Sequence, residues 1–234
     1  MQRQGHSKDN ILENKVKSTI KKYNLIQPED KLVLAVSGGP DSMAMLNILT
    51  KLLKDCQKDT SPMAVAHVNH MIREEATQDE AYVRKYCEKN QIEFYSKSID
   101  VQKIANNNKI GTEEAGRIER YKFFDEIMEK TGSNKIAIAH NKNDNAETII
   151  MNILRGSGTT GLKGIEAKRG KYIRPLIECE RKEIEAYCEK ENLKPRIDKT
   201  NFENTYTRNK IRNIVIPYVE KEFNANIINT LIRL

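Results

Sequence analysis

Four short apolar runs alternate with amphipathic stretches between residues 31 and 154. The runs cover residues 31–36, 63–68, 92–99 and 135–139. Around them, apolar residues recur every three or four positions, the spacing of a helix that buries one face. Such helices are predicted at about residues 7–23, 43–53, 77–89, 112–130 and 144–154. Because alternating strands and helices are joined by right-handed crossovers, the sequence predicts an α/β fold, a parallel sheet with helices on both faces.

The charge of the chain favours an anionic partner. Lys and Arg number 40 against 33 Asp and Glu, which gives a formal net charge of +7. A surplus of this kind attracts polyanions such as nucleic acid or nucleotides. No apolar stretch approaches the roughly 20 residues that cross a bilayer. The first residues contain no apolar signal core, so we expect a cytoplasmic protein without a membrane partner.

The cysteines argue against three kinds of site. None of the four forms a C-x-x-C pair, and none has close metal-ligand spacing to a histidine. Structural zinc, iron–sulfur clusters and a disulfide framework are therefore poorly supported.

The loop after the first predicted strand is the strongest motif. Two glycines there expose backbone N–H groups to an anion, and the following helix adds the positive end of its dipole. Two serines offer hydroxyl donors to phosphate oxygens, and an aspartate indicates bridging by Mg²⁺. The alternative is a tight turn with Ser42 as the helix N-cap. The motif is neither a Walker A loop nor a dinucleotide fingerprint; it reads Ser37-Gly38-Gly39-Pro40-Asp41-Ser42.

The loop after the second predicted strand contains His67, Asn69, His70 and Arg73. A strand-end histidine and asparagine suit contacts to a base or ribose, and Arg73 suits a phosphate. The alternative is that His67 is a strand-end residue with a purely structural partner.

One predicted helix carries Glu113, Arg117, Arg120 and Phe124 on a single face. The two arginines would neutralise phosphate groups if that face were partly covered. Ordinary surface pairing between glutamate and arginine is the alternative.

The loop after the fourth predicted strand begins at His140, and Asp144 and Glu147 follow on one face of the next helix. Two carboxylates there could hold an ammonium group or act as a base. They could also merely complement the helix dipole. Further along the chain, the basic pair Arg208 and Arg212 fits either RNA phosphates or a solvated helix face.

In this order, the motifs resemble the PP-loop ATP pyrophosphatase superfamily and, within it, the tRNA(Ile)-lysidine synthetases. The resemblance extends from about residue 32 to residue 217 and differs from the family at Asn141 and Asn143, where a histidine and an aspartate are frequent. It implies a Rossmann-like, adenine nucleotide alpha hydrolase-like fold. Residues 1–217 would form the catalytic domain. Residues 218–234 would form a helical linker toward a C-terminal tRNA-binding domain that lies outside this chain.

The resemblance also implies a two-step reaction that uses ATP and Mg²⁺. ATP adenylates the wobble cytidine, position 34, of the CAU-anticodon isoleucine tRNA and releases diphosphate. The amine of L-lysine then displaces AMP, and the codon specificity changes from AUG to AUA. The resemblance leaves open whether the protein forms a homodimer.

Site roles follow from the resemblance. It implies catalytic roles for Asp41, Arg117, His140 and Asp144, with Mg²⁺ at Asp41. Lysine would bind Asp144 and Glu147, and tRNA would bind Arg120, Arg208 and Arg212. ATP would contact the following residues: Ser37, Gly38, Gly39, Pro40, Asp41, Ser42, His67, Asn69 and Arg73.

Three other functions compete with this one. A PP-loop tRNA thiolase would share the ATP chemistry. Thiolases that use an iron–sulfur cluster need clustered cysteines, and the four cysteines here are scattered. A small-molecule amidating enzyme of the superfamily would need no RNA. A non-catalytic RNA-binding module would keep the glycine loop only as an element of the fold.

Overall fold

Six strands form one sheet in the order β3-β2-β1-β4-β6-β5. The computed structural model describes residues 11–54, 63–69, 76–196 and 206–233. The strands β1 to β4 and β6 run parallel, and β5 pairs with β6 in the antiparallel direction. The strands are β1 Leu32–Ala35, β2 Met63–Asn69, β3 Glu93–Ser98, β4 Lys135–Ile138, β5 Lys168–Arg169 and β6 Tyr172–Ile173.

Helices connect and cover these strands, so the predicted α/β fold is confirmed. The longer helices are α1 Ile11–Lys22, α2 Pro40–Lys54, α3 Ala76–Asn90, α4 Val101–Asn108, α5 Thr112–Thr131, α6 Lys142–Leu154 and α7 Arg181–Lys190. The shorter ones near the end are α8 Thr207–Lys210, α9 Ile216–Glu222 and α10 Ile227–Ile232. A π-helical turn, Ile211–Val215, joins α8 to α9. Within the described ranges, no helix is both long and apolar enough to cross a membrane.

Alternation along β1 explains why both faces of the sheet are covered. Leu32 and Leu34 pack into a core with α2, whereas Val33 packs on the opposite side against Phe123 and Phe124 of α5. Successive side chains of a strand point to opposite faces, so an uninterrupted apolar run requires cover on both sides.

Three regions differ from the sequence expectation or fall outside it. Helix α4 was not predicted, and neither was the β5–β6 hairpin, whose two-residue strands are too short to show alternation. The segment after α9 turns and returns as α10, where Leu231 packs against Ala146 and Ile149 of α6. The boundary at residue 217 between a catalytic domain and a helical linker stays a prediction. His70, Arg73 and Cys56 lie outside the described residues.

The glycine-rich segment after α6 is fastened to that helix by two asparagines. Asn152 Nδ2 donates to the carbonyl oxygen of Gly161 at 2.8 Å, and Asn145 Oδ1 accepts from Ile165 N at 2.6 Å. The glycines and other small residues of this segment, 155–161, by themselves predict a flexible loop. The structure instead gives it two anchoring hydrogen bonds, one of them on the residue that follows Asp144.

Gly164→Ala should destabilise the protein by about 3 kcal/mol. Gly164 has a φ of +61°, and an added Cβ would overlap Asn145 Oδ1 and lie 2.8 Å from Ile149 Cγ1. Gly170→Ala is the matched control, because its φ is +56° but nothing lies within 4 Å of its Cβ. Urea unfolding of both variants measures the difference. Equal losses would show that the contact with Asn145 contributes nothing.

Candidate active site

The carboxyl ends of β1 and β4 bring the two strongest motifs together. These strands are neighbours, with Ala35 opposite Ile138, so the loops that follow them meet at one edge of the sheet. Asn141 Nδ2 donates to Asp41 Oδ1 at 2.8 Å and joins the loops directly. Asn141 is fully buried and also caps α6. Asn141 is therefore the physical link between the two motifs.

The glycine loop closes around the hydroxyl of Ser42. Ser42 Oγ accepts from the backbone N–H groups of Ser37 and Gly38, each at 3.2 Å, and donates to the carbonyl oxygen of Gly39 at 3.0 Å. Gly38 has a φ of +94°, a conformation that side chains rarely adopt. Helix α2 begins at Pro40, so Ser42 lies inside its first turn and is not the N-cap.

The loop lies at the start of α2. A Cβ at Gly39 would make only ordinary van der Waals contacts, the nearest with Ser37 Oγ at 3.6 Å. Helix α2 has 15 residues, and the positive end of its dipole lies at this loop. Loop and helix together suit the oxygens of a diphosphate.

Asp41 is a carboxylate in an environment that disfavours its charge. Burial, and then the nearby charge of Asp144, raise the pKa of Asp41 to about 6, while the hydrogen bond from Asn141 and the charges of Arg181 and Arg212 oppose that rise. Two carboxylates that repel each other at this edge of the sheet are oxygen donors of the kind that Mg²⁺ prefers. The residues present therefore fit a divalent cation at Asp41.

Asp41→Asn should stabilise the protein at neutral pH. The unfolded carboxyl has its ordinary pKa of 3.8 and the folded one about 6. Because the pKa of Asp41 is higher in the folded than in the unfolded protein, the free energy of unfolding falls as the pH rises from about 4 through 6. This loss of stability is complete above about pH 7. The variant has no carboxylate to destabilise and should gain about 3 kcal/mol at pH 8. Urea unfolding without Mg²⁺ at pH 4 and pH 8 measures it, and a gain that does not grow with pH would contradict the account.

The carboxylates of α6 lie against two arginines from the end of the chain. Glu147, whose side chain is 1% exposed, accepts from Arg212 Nε at 2.6 Å and Nη2 at 2.8 Å, and from Arg208 Nε at 3.1 Å. Asp144 Oδ1 accepts from Arg212 Nη2 at 3.2 Å, and its side chain is 13% exposed. This carboxylate–arginine cluster joins the residues predicted for lysine to two of those predicted for tRNA.

Arg181 is a member of the neighbourhood that the sequence analysis missed. Its Nη2 lies 3.7 Å from Asp144 Oδ1 and 3.8 Å from Glu147 Oε1. Its backbone N–H donates to Asn143 Oδ1 at 3.0 Å, which fixes the start of α7 against the start of α6. In the sequence Arg181 is one charged residue among many at the start of a helix, and nothing there relates it to residues 37 positions earlier.

His140 has a defined hydrogen-bond partner in Arg174, whose Nε donates to His140 Nδ1 at 3.1 Å. Burial lowers the pKa of His140 to about 4; Asp144 opposes this, and the charges of Arg174, Arg208 and Arg117 add to it. The imidazole is therefore uncharged at neutral pH.

His67 and Asn69 lie at the end of β2 and are both buried. His67 Nδ1 lies 2.8 Å from the carbonyl oxygen of Val36 and donates to it, which ties the end of β1 to β2. Burial lowers the pKa of His67, so this ring is neutral as well. The observed contact is the structural alternative foreseen for His67, and a nucleotide contact by His67 or Asn69 stays a prediction.

Arg117 and Arg120 are exposed on α5. The Arg117 guanidinium stacks over the Tyr121 ring, 4.9 Å from the ring centroid. The positive charge of Arg117 contributes to lowering the pKa of His140. Arg120 follows three positions later on the same helix. The phosphate role of Arg117 and the tRNA role of Arg120 stay predictions.

The PP-loop domain family model matches residues 8–219 of the chain. The chain belongs to the PP-loop family. A tRNA(Ile)-lysidine synthase of Clostridium acetobutylicum is 56% identical over 94% of this chain, and that of Clostridioides difficile is 52% identical over the same share. The alignment covers 48% of each relative, so the chain spans about half the length of the curated relatives it matches.

Solved structures support the fold of this PP-loop protein. A U34-tRNA thiolase of Methanococcus maripaludis, solved with its 4Fe–4S cluster, superposes with a TM-score of 0.76 at 19% identity, covering 98% of this chain and 80% of that one. An NH3-dependent NAD synthetase of Campylobacter jejuni, in complex with nitrate, gives a TM-score of 0.51 at 16% identity, covering 97% of this chain and 92% of that one. Both likenesses concern the fold alone.

Proposed function

We propose that this PP-loop protein attaches L-lysine to C2 of the wobble cytidine in the CAU-anticodon isoleucine tRNA, using ATP and releasing AMP and diphosphate. The observation that carries the proposal is the 56% identity to a tRNA(Ile)-lysidine synthase over 94% of this chain. The gathered carboxylates, arginines and glycine loop supply the groups that the reaction needs. The tRNA substrate also supports a cytoplasmic location.

The first step needs a site for a departing diphosphate. The cytosine O2 attacks the α-phosphorus of ATP, an O–P bond forms, and the bond between α-phosphorus and the bridging oxygen breaks. The loop from Ser37 to Ser42 and the start of α2 would receive the diphosphate as its charge grows. Asp41 would hold Mg²⁺, which supplies positive charge to the phosphates when bound. Arg117 would add a further positive charge beside them.

The second step needs an amine in the right place and a group that takes its proton. Lysine Nζ attacks C2, the C2–O bond breaks and AMP leaves with that oxygen. Asp144 is suited to hold the ammonium form and accept a proton, because its side chain is 13% exposed against 1% for Glu147. Glu147 would act indirectly, because its hydrogen bonds hold Arg212 beside Asp144.

We divide the predicted tRNA contacts according to how exposed each arginine is. Arg120 is exposed on α5 and suits an RNA phosphate. Arg208, whose side chain is 32% exposed, already donates to Glu147 and to Thr148 Oγ1, so it is less available to a phosphate than Arg120. Arg212 is 20% exposed and bonded to two carboxylates, so we assign it to the lysine site rather than to tRNA.

The thiolase alternative has less support from the described cysteines. Cys87, Cys179 and Cys188 are buried, and burial raises the pKa of each thiol to about 12. A protonated, buried thiol is a poor nucleophile and a poor metal ligand. Within the described ranges, no three His, Cys, Asp or Glu side chains gather as a metal-ligand group.

The proposal is tested by mixing the protein with radiolabelled lysine, ATP, Mg²⁺ and the cytidine-bearing isoleucine tRNA. Label should enter the RNA with one AMP formed per lysine. Replacing cytidine 34 by uridine should stop incorporation. AMP formation that depends on a sulfur donor but not on lysine would favour a thiolase. Turnover with ammonia and a small acid would favour an amidating enzyme, and RNA binding without turnover a non-catalytic module.

A further inference from the structure

Arg174 is a buried arginine to which the reaction steps above assign no role. It follows β6 directly and is 7% exposed. Its Nη1 donates to the carbonyl oxygen of Glu166 at 2.6 Å, and its backbone N–H donates to the carbonyl oxygen of Ala167 at 2.9 Å. The backbone of Arg174 is thus fixed by Ala167 and its guanidinium by Glu166. The guanidinium also donates from Nε to His140 Nδ1.

The chemistry of this contact determines where the proton of the imidazole lies. A guanidinium has only donors, so the Nδ1 atom that faces it must be the acceptor. A neutral imidazole with an acceptor at Nδ1 carries its proton at Nε2. Protonation of Nδ1 would place two N–H donors and two positive charges face to face, which costs more in a buried site than in water.

The other charged groups around His140 do not change this assignment. Asp144 of α6 favours the charged ring, whereas Arg117 of α5, Arg208 of α8 and Arg174 disfavour it. Burial is the largest influence, and it also disfavours the charged ring. Three guanidinium groups from three different parts of the chain therefore oppose a single carboxylate.

We propose that Arg174 is a positioning residue that holds His140 as the neutral Nε2–H tautomer, so that His140 offers a fixed hydrogen-bond donor at the active-site edge. The role in turnover rests on the proposed function. In adenylyl transfer the donor would meet an oxygen that gains negative charge, on the nucleotide or on the displaced group. Because its Nδ1 lone pair is engaged, His140 is not the base that removes the lysine proton.

The tautomer can be measured in the free wild-type protein without any substrate. Long-range ¹H–¹⁵N correlation spectra of histidine-labelled protein at pH 7 should show His140 protonated at Nε2 and unprotonated at Nδ1. His140→Gln identifies the resonance by its loss. A His140 protonated at Nδ1, or an even mixture of tautomers, would overturn the proposal whatever the enzyme's activity.

Variants test whether Arg174 is the cause. Arg174→Met should give a tautomer mixture and lower kcat by about 10- to 100-fold with KM for ATP little changed. Arg174→Lys, which keeps a charged donor, should recover part of both. Arg169→Met is the control: it removes an exposed neighbouring charge without a contact to His140. An unchanged tautomer in a folded Arg174→Met variant would contradict the positioning role.

A comparison of two His140 variants tests whether His140 acts as a hydrogen-bond donor. His140→Gln keeps an N–H donor but no basic nitrogen, so it should retain about tenfold more activity than His140→Ala. Equal losses in both variants would refute the donor role. A wild-type protein that shows the Nε2–H tautomer but forms no lysidine would instead refute the proposed function and leave the positioning role intact.

Discussion

Asp144→Asn should abolish lysidine formation and leave the fold intact. The amide can neither neutralise the lysine ammonium nor accept its proton, and only the neutral amine attacks carbon. We expect a loss in kcat/KM of about 10³-fold or more. The rate of labelled lysine transfer to tRNA measures it.

The fold should survive because the carboxylate–arginine cluster keeps its most buried member. Arg212 stays bonded to Glu147, and the asparagine Oδ1 can still accept the N–H of Asn141. Asp125→Asn is the matched control, an aspartate on α5 that pairs with Tyr172 and Lys171 away from the cluster. It should keep activity within about twofold, since surface pairs contribute little. An Asp144→Asn enzyme with wild-type rates would remove Asp144 from the reaction.

Arg212→Met should destabilise the protein by about 3 kcal/mol, the largest stability effect that we expect from a single charge. The variant leaves Glu147, 1% exposed, with one hydrogen bond from Arg208 Nε and with Arg181 Nη2 at 3.8 Å, but without a bidentate partner. Its bonds to Glu147 also hold the pKa of Arg212 above its ordinary value, although burial opposes this. Urea unfolding at pH 7 measures the loss.

A double-mutant cycle separates the ion pair from other losses. In a Glu147→Gln background, Arg212→Met should cost less than about 1 kcal/mol, because no buried carboxylate is left without its partner. Lys221→Met is the control for a charge on the same part of the chain, since its side chain is 82% exposed and its pair with Glu222 is a surface one. Additive effects of the Glu147 and Arg212 changes would show that the cluster does not act as a unit.

Patterns among neighbouring residues were enough to predict the strands and the position of the glycine loop. The apolar runs predicted the four longer strands, and the position of the glycine loop between a strand and a helix predicted its place at the edge of the sheet. The structure adds that β1 and β4 are neighbours, and this adjacency brings Asp41 to the loop that begins at His140. Such inferences work because a buried parallel strand requires apolar residues on both faces.

Pairings between distant parts of the chain could not be predicted in this way. Glu147 and Arg212 are 65 positions apart, and each has an ordinary explanation as a charged helix residue. Nothing local distinguishes an arginine that will grip RNA from one that will neutralise a buried glutamate. The same holds for Arg174 and His140, whose partnership depends on β6 pairing with β4.

The fate of ATP tests the central claim most directly, because the glycine loop is assigned to a departing diphosphate. Phosphorus NMR of a reaction with ATP, Mg²⁺, lysine and the CAU-anticodon tRNA should show AMP and diphosphate in equal amounts, with diphosphate release lost when lysine and tRNA are both omitted. ADP and inorganic phosphate as the products would contradict the account, since they would place cleavage at the γ-phosphate.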